Sequence, residues 1–359
     1  MKNRFFVLAG MLYLCMSANA QIRRTPTPDD TLQHIRVQKD GSVVFSLYAP
    51  KARTVSIVGD EEFKTMLEGY EPIVKEANGV WTLTYGHKPN GDVVLPDGFY
   101  RYNFVVDGIK VYDPHAEWVS EASSVGEIKR ADSYYDIKDV PHGAVHQRYY
   151  YSQTTKSWRR MHVWTPAGYE TGKQKLPVLY LVHGGGHIDD SWTDYGRANF
   201  ILDNLMAEGK MVPMIVVMPN GSIKTEEGYF DEVPLFERDM MTDIIPYIEK
   251  NYRVLTDKDH RAMAGLSMGG METLETTLKN IDKFSYVWVL SSSFNPRSSA
   301  ESEAKRLNLK ENSDKINKSF KQLVFTQGGP LDIAYKNNIN TRKEFDKAGI
   351  KYEYPQIRK

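Results

Sequence analysis

Ser267 stands at the centre of Gly265-Leu266-Ser267-Met268-Gly269, a Gly-x-Ser-x-Gly pentapeptide that closes the apolar run beginning at Arg261. A serine hydroxyl becomes an exposed nucleophile when it projects from a tight strand-to-helix turn, and the flanking glycines leave room where a Cβ would strike neighbouring backbone. The same turn aims the N–H of Met268, at the start of the following helix, at the place where an acyl oxyanion forms. Two further stretches supply the rest of an acyl-transfer site. His183-Gly184-Gly185-Gly186 follows the apolar run Val178 to Val182, and its glycines let backbone approach a substrate; a glycine loop needed only for a tight turn is the alternative. Asp332 follows the run Leu323 to Thr326 and the loop Gln327 to Pro330, where a carboxylate can orient a histidine or simply be solvated. His183 itself reads as a residue that orients its loop, not as a base.

These residues need a frame. From Val140-Pro141-His142-Gly143 onward, apolar strand-like runs alternate with helical patterns, which implies a parallel sheet covered on both faces. The runs are Val178 to Val182, Met214 to Met218, Ala262 to Leu266, Val287 to Ser291 and Leu323 to Thr326. The helical patterns cover Ala198 to Ala207, Phe236 to Tyr252 and Met268 to Leu278, with Pro246 expected to bend the second. Ser267, the His183 loop and Asp332 all fall after strands, at the carboxyl edge where open α/β sheets place their sites.

Ahead of this lies a different pattern. Ser42 to Tyr48, Thr54 to Val58, Trp81 to Tyr85, Tyr100 to Val106 and Tyr134 to Ile137 read as short strands separated by Gly, Asn and Asp turns, so residues 22–138 are expected to form an all-β sandwich. Trp81, Tyr100, Tyr102 and Trp118 have the ring area to stack on sugars, and equally the area to fill a sandwich core. The fold expected for the whole chain is an α/β-hydrolase domain over 139–359 behind an immunoglobulin-like sandwich.

Lys plus Arg and Asp plus Glu each number 46 in 359 residues, so no basic field points to nucleic acid and no acidic excess points to disorder. Residues 1–20 combine Lys2 and Arg4 with an apolar stretch from Phe5 to Met16 and end Ala18-Asn19-Ala20, the pattern of a cleaved signal peptide. That stretch is too short for a membrane span, and no later one is longer. The single cysteine, Cys15, leaves with the leader unless it carries a lipid, and the remainder is a cysteine-free exported protein held by packing alone.

Taken together, the run from Pro177 through Gly221, the run from Asp243 through Gly270 and Gly328-Gly329-Pro330-Leu331-Asp332 resemble the esterase-D-like α/β-hydrolases of carbohydrate esterase family one. The resemblance covers nearly all of residues 40–354. The phrases around Phe45, Trp81 and Phe99 to Gly108 resemble the early-set immunoglobulin-like modules that precede glycogen-branching enzymes. The resemblance implies Ser267 as nucleophile, Met268 with Gly185 and Gly186 as the oxyanion hole, Asp332 as the triad acid, and Trp192 and Asn220 on loops bordering the substrate. It implies feruloyl or acetyl esters of xylan as substrates, no metal and no organic cofactor; a siderophore lactone or a glutathione thioester is served by the same scaffold. A carbohydrate-binding protein with a decayed esterase domain is the non-enzyme reading.

The sequence departs from the family at one point. The triad order is serine, acid, histidine, yet all nine histidines precede Ser267 and the text after Tyr354 is Pro355-Gln356-Ile357-Arg358-Lys359. Three readings stay open: a truncated or frame-shifted product, a base recruited from His183, His187 or His260, and a domain that has lost catalysis. Loss of one triad member typically removes about 10⁴ to 10⁶ of rate.

Overall fold

The structure, a computed structural model, describes residues 24–59, 63, 73–87, 91, 95–120, 123–194, 196–224, 232–330 and 332–355. The expected leader and the last four residues lie outside them. The chain divides into two compact units, one of Met1–Val58, Met66–Pro96 and Asn103–His115, the other of Gly59–Thr65, Asp97–Tyr102 and Ala116–Lys359. Among the described residues no helix is long and apolar enough to cross a membrane.

The N-terminal strands are β1 (Ile35–Val37), β2 (Val43–Tyr48), β3 (Val55–Gly59), β4 (Val74–Lys75), β5 (Val80–Tyr85), β6 (Gly98–Val106), β7 (Ile109–Val111), β8 (Trp118–Ser120) and β9 (Ser123–Ile128). They form two sheets, β1-β2-β5-β4 and β3-β6-β9-β8, with β7 beside β6. In β2 and β5, Phe45 pairs with Leu83 across an antiparallel ladder and meets the Tyr85 ring edge-on at 5.8 Å, the cross-strand packing that stabilises a half-buried sheet. Two of the four rings proposed for sugar stacking are core residues. Tyr102 is fully buried, and Trp81 is buried with its indole N–H donating to the Ala49 carbonyl at 2.9 Å. Tyr134 to Ile137 is a turn, not a strand. Asp136 accepts the Ser133 N–H and the Lys129 ammonium, while Asn204 donates to the carbonyls of Tyr134 and Asp136, so no ladder bonds are left for these groups.

The second sheet has seven strands in the order β10-β11-β13-β12-β14-β15-β16. They are β10 (Ala144–Ser152), β11 (Ser157–Thr165), β12 (Val178–Val182), β13 (Ile215–Pro219), β14 (Arg261–Leu266), β15 (Tyr286–Leu290) and β16 (Gln322–Thr326). From β13 to β16 every pairing is parallel; β10, β11 and β13 pair antiparallel. The β10–β11 hairpin was not expected from sequence. Its strands carry Arg148, Arg159, Arg160 and His162 where apolar alternation would be looked for, and these side chains find polar partners inside. Glu353 adds a parallel bridge to Val324, so the strand-like Lys351 to Tyr354 touches the sheet edge.

Seven helices are described: α1 (Ala198–Ala207), α2 (Val233–Asp239), α3 (Ile245–Asn251), α4 (Met268–Lys279), α5 (Ala300–Arg306), α6 (Leu309–Ser319) and α7 (Tyr335–Ala348). The pattern from Phe236 to Tyr252 is α2 and α3 joined by a π turn, Met240 to Ile244, in which the Ile245 N–H reaches back to the Met240 carbonyl. Such a widened turn accommodates Pro246, which offers no N–H of its own. Alternation along β13 sorts the two faces. Ile215 and Val217 join Met161, Tyr180, Met263 and Phe236 in the main core, whereas Val216 and Met218 pack with Trp164 against Leu202 and Met206 of α1. Helices therefore cover both faces. On the α1 side, β15 presents Trp288, 42% exposed, with its indole N–H on Gln322.

Candidate active site

Ser267 is the hinge between β14 and α4, and its backbone sits at φ 53, ψ −115, a region that costs an L-residue about 1–3 kcal/mol. The surroundings hold it there. Its N–H donates to the Leu290 carbonyl at 2.9 Å, and its carbonyl accepts from Gly270 N–H at 2.9 Å, Met271 N–H at 3.2 Å and the Ser292 hydroxyl. The glycines of the motif are required by contact: a Cβ on Gly265 would lie 2.0 Å from the Gly269 carbonyl oxygen, and one on Gly269 would lie 2.5 Å from the His183 carbonyl oxygen. Met268 opens α4, so its N–H has no carbonyl a turn earlier within the helix to bind.

The glycine turn lies against this hinge. A Cβ on Gly184 would stand 3.5 Å from the Ser267 Cβ, which places the loop beside Ser267. Gly184 to His187 form a reverse turn closed by the His187 N–H on the Gly184 carbonyl at 3.3 Å, with Gly186 at φ 74 in the position where only glycine is free of strain. Gly184 was placed in the glycine loop but not assigned to the oxyanion hole from sequence; it is the loop residue beside Ser267, and Gly185 and Gly186 follow it around the turn. At the far end Asp189 anchors the loop, accepting Arg160 Nε at 2.8 Å and His162 Nδ1 at 2.7 Å. Burial acts to raise its pKa, yet His162 and Arg160 outweigh it and hold the carboxyl below the ordinary range.

His183 is spent on backbone. Its Nδ1–H donates to the Gly184 carbonyl at 2.8 Å and its Nε2 accepts the Gly221 N–H at 2.9 Å. Burial lowers its basicity, so the ring is a neutral strut between two loops. His187 is pushed down to about 4 by burial and by the adjacent Arg101, whose guanidinium lies 2.6 Å from Nε2. His260 sits in the turn before β14, at the end of that strand opposite Ser267, and pairs with Asp257. Ser267 Oγ has no hydrogen-bond partner among the described residues, so none of the three histidines is positioned on it. The reading of His183 as a loop-orienting residue accords with this geometry.

Asp332 uses its carboxylate locally, accepting Gly328 N–H and Ala334 N–H at 2.8 Å each, and shapes the turn into α7. Asn220 likewise orders its own loop, its side-chain oxygen accepting Ser222 N–H at 3.0 Å beside the His183 ring. Trp192 packs in the apolar layer under α1, its indole N–H buried without a partner among the described residues. Sequence reasoning missed the buried acids behind the site. Glu272 of α4 is fully buried with neither oxygen partnered among the described residues, and Glu232 shares the neighbourhood; a glutamate inside the otherwise small and apolar stretch Met268 to Leu274 was the available signal.

Comparison with known proteins agrees with this geometry. Residues 152–338 match the esterase family model, and residues 33–116 match carbohydrate-binding module 48, the isoamylase N-terminal domain. An endo-1,4-beta-xylanase/feruloyl esterase of Xylanibacter ruminicola is 34% identical over 309 residues, covering 80% of this chain and 41% of that protein. Endo-1,4-beta-xylanase Y of Acetivibrio thermocellus is 27% identical over 267 residues, covering 70% of this chain and 23% of that protein. The chain thus spans less than half the length of these two relatives. A solved ferulic acid esterase is 30% identical with a TM-score of 0.53, over 60% of this chain and 89% of that one. The enterobactin esterase of Shigella flexneri shares the fold over 91% of both chains, with a TM-score of 0.66 at 14% identity. The mostly parallel sheet, the strained serine at the carboxyl end of β14 and these matches converge on one conclusion: the chain belongs to the esterase family of α/β-hydrolases and carries an N-terminal immunoglobulin-like module of the carbohydrate-binding module 48 type.

Proposed function

We propose that this chain is a serine carboxylic-ester hydrolase for acyl substituents of plant polysaccharide, feruloyl or acetyl esters of xylan, exported after cleavage near Ala20. The observation that carries the reading is Ser267 held at a strained hinge with Gly184 packed against it and the Met268 N–H unspent. Ser267 Oγ attacks the ester carbonyl, the oxyanion rests on the Met268 N–H and the glycine turn, and water then releases the acid. Asp332 is the proposed triad acid, with Trp192 and Asn220 bordering the substrate. The N-terminal module contacts glucan or xylan. Support for the phenolic ester comes from the names of the 34% identical relative and the 30% identical structure.

No histidine follows Ser267 in this polypeptide, and none of the three candidate bases meets it. We infer that none of His183, His187 and His260 activates Ser267; a serine without a base retains roughly 10³–10⁴ over water from oxyanion stabilisation and binding alone. Hydrolysis of methyl ferulate, acetylated xylan and a siderophore-type lactone is the test. Slow turnover led by methyl ferulate, abolished in Ser267→Ala and accelerated by added imidazole, is expected. A lactone preference overturns the feruloyl assignment, and xylan binding without fluorophosphonate labelling of Ser267 overturns the enzyme reading.

A further inference from the structure

Behind the site, the loop after β13 has its polar backbone groups gripped one by one. Arg159 of β11 donates to the carbonyls of Asn220 and Ser222, His183 accepts the Gly221 N–H, the Asn220 side chain accepts the Ser222 N–H, and Glu232 accepts the Ile223 N–H at 2.8 Å. Glu272 of α4 presses on the same loop from below: a Cβ added to Gly221 would meet its two carboxyl oxygens at 2.6 and 3.2 Å. Both those oxygens, and Oε1 of Glu232, are buried without a hydrogen-bond partner among the described residues. Arg159 is itself fixed by Asp239, whose carboxylate also accepts the Tyr150 hydroxyl at 2.7 Å. Since the His183 ring joins Gly221 to the Gly184 carbonyl, displacement of this loop is transmitted to the turn beside Ser267.

We propose that Arg159, Glu232 and Glu272 are positioning residues that set the Asn220 to Ile223 loop and, through the His183 ring, the glycine turn facing Ser267. The inference rests on the reading of Ser267 and that turn as the site. A buried carboxyl pair beside one guanidinium is stable only while at least one acid keeps its proton. Burial pushes Glu232 up to about 7, with the Ile223 N–H and Arg159 opposing, and burial together with the Glu232 charge holds Glu272 well above the carboxylate range, with Arg159 opposing. Asp239, facing Arg159 from α2, is raised by burial and has Asp243 nearby. His183 stays neutral over the same range, as does His187. Ionisation of Glu232 near neutrality therefore places one negative charge beside the still protonated Glu272 under the Gly221 backbone, the Ile223 N–H and Arg159 are drawn toward it, and the loop shifts.

The experiment follows the ¹⁵N signals of the His183 ring and the Gly221 amide in the full chain from pH 5 to 9, with fluorophosphonate labelling of Ser267 in parallel. In the wild type both nitrogen signals are expected to move together with a midpoint near 7, and labelling relative to Glu232→Gln falls about tenfold or more across that range. Glu232→Gln and Glu272→Gln should abolish the joint movement while keeping the low-pH positions. Arg159→Lys should displace both signals at every pH, and with the wild-type titration it decides the matter even if a Gln variant folds poorly. Flat wild-type signals that Arg159→Lys leaves in place overturn the proposal. A wild type that never labels counts against acyl transfer at Ser267, and the nitrogen signals then decide the positioning role by themselves.

Discussion

At the scale of the residue, Ser267 is held in a backbone conformation that its own side chain disfavours, by hydrogen bonds to Leu290, Gly270, Met271 and Ser292. Removing the hydroxyl and removing the Cβ are therefore different experiments. Ser267→Ala deletes the proposed nucleophilic hydroxyl and keeps the strain; Ser267→Gly deletes both. In denaturant titrations Ser267→Gly should be about 1 kcal/mol more stable than Ser267→Ala, although glycine loosens the unfolded chain, because a positive φ costs any residue with a Cβ more. Equal stability would mean the hinge is relaxed. Neither variant should label with a fluorophosphonate.

At the scale of the element, the elbow is a contact between two backbones, and Gly265 is where they meet. A methyl there lies within 2.2 Å of both the carbon and the oxygen of the Gly269 carbonyl and 2.7 Å from the Thr273 hydroxyl, so β14 and α4 must part. Gly265→Ala should cost about 3 kcal/mol or more in chemical unfolding. The same element shows what sequence can and cannot convey. The Gly265 to Gly269 pentapeptide between an apolar strand and a helix is a local pattern, as are the five parallel strands, and all were legible. The hairpin of β10 and β11 was not, since its partly buried arginines and His162 depend on Asp189, Asp239 and the Asn220 loop, which are remote in sequence. Tyr134 to Ile137 failed for the opposite reason: β-favouring residues alternate there, but side chains from Lys129 and Asn204 satisfy a turn instead. Asp332 was legible as an acid after a late strand, while its use as a local turn-former appears only in the hydrogen bonds.

At the scale of the whole molecule, the buried acids couple stability to pH. A glutamate raised in the folded state from an unfolded value of about 4.5 binds more protons folded than unfolded, so its favourable contribution is complete below pH 4.5 and is lost as pH rises through about 7. Carboxylates held low by partners, such as Asp189 and Asp259, act in the opposite sense at acid pH. Relative to wild type, Glu232→Gln should therefore gain stability steadily from pH 4.5 to 7, on the order of 2 kcal/mol, and gain nothing further above it. Urea unfolding at several pH values measures the difference, and a constant offset would show that Glu232 titrates normally in the fold.

The strand order has a consequence for how the molecule comes into being. β10 and β11 are neighbours in the chain and zip together across a short loop, whereas β14 completes its ladder only with β12, far upstream, and with β15, beyond α4. Contacts between distant segments bear a larger loop-closure entropy and form later. The bond that fixes Ser267, from its N–H to the Leu290 carbonyl, belongs to the last of these pairings to emerge during synthesis. A nascent chain thus carries an ordinary, relaxed serine, and the hydroxyl is cocked only when the sheet around it has closed.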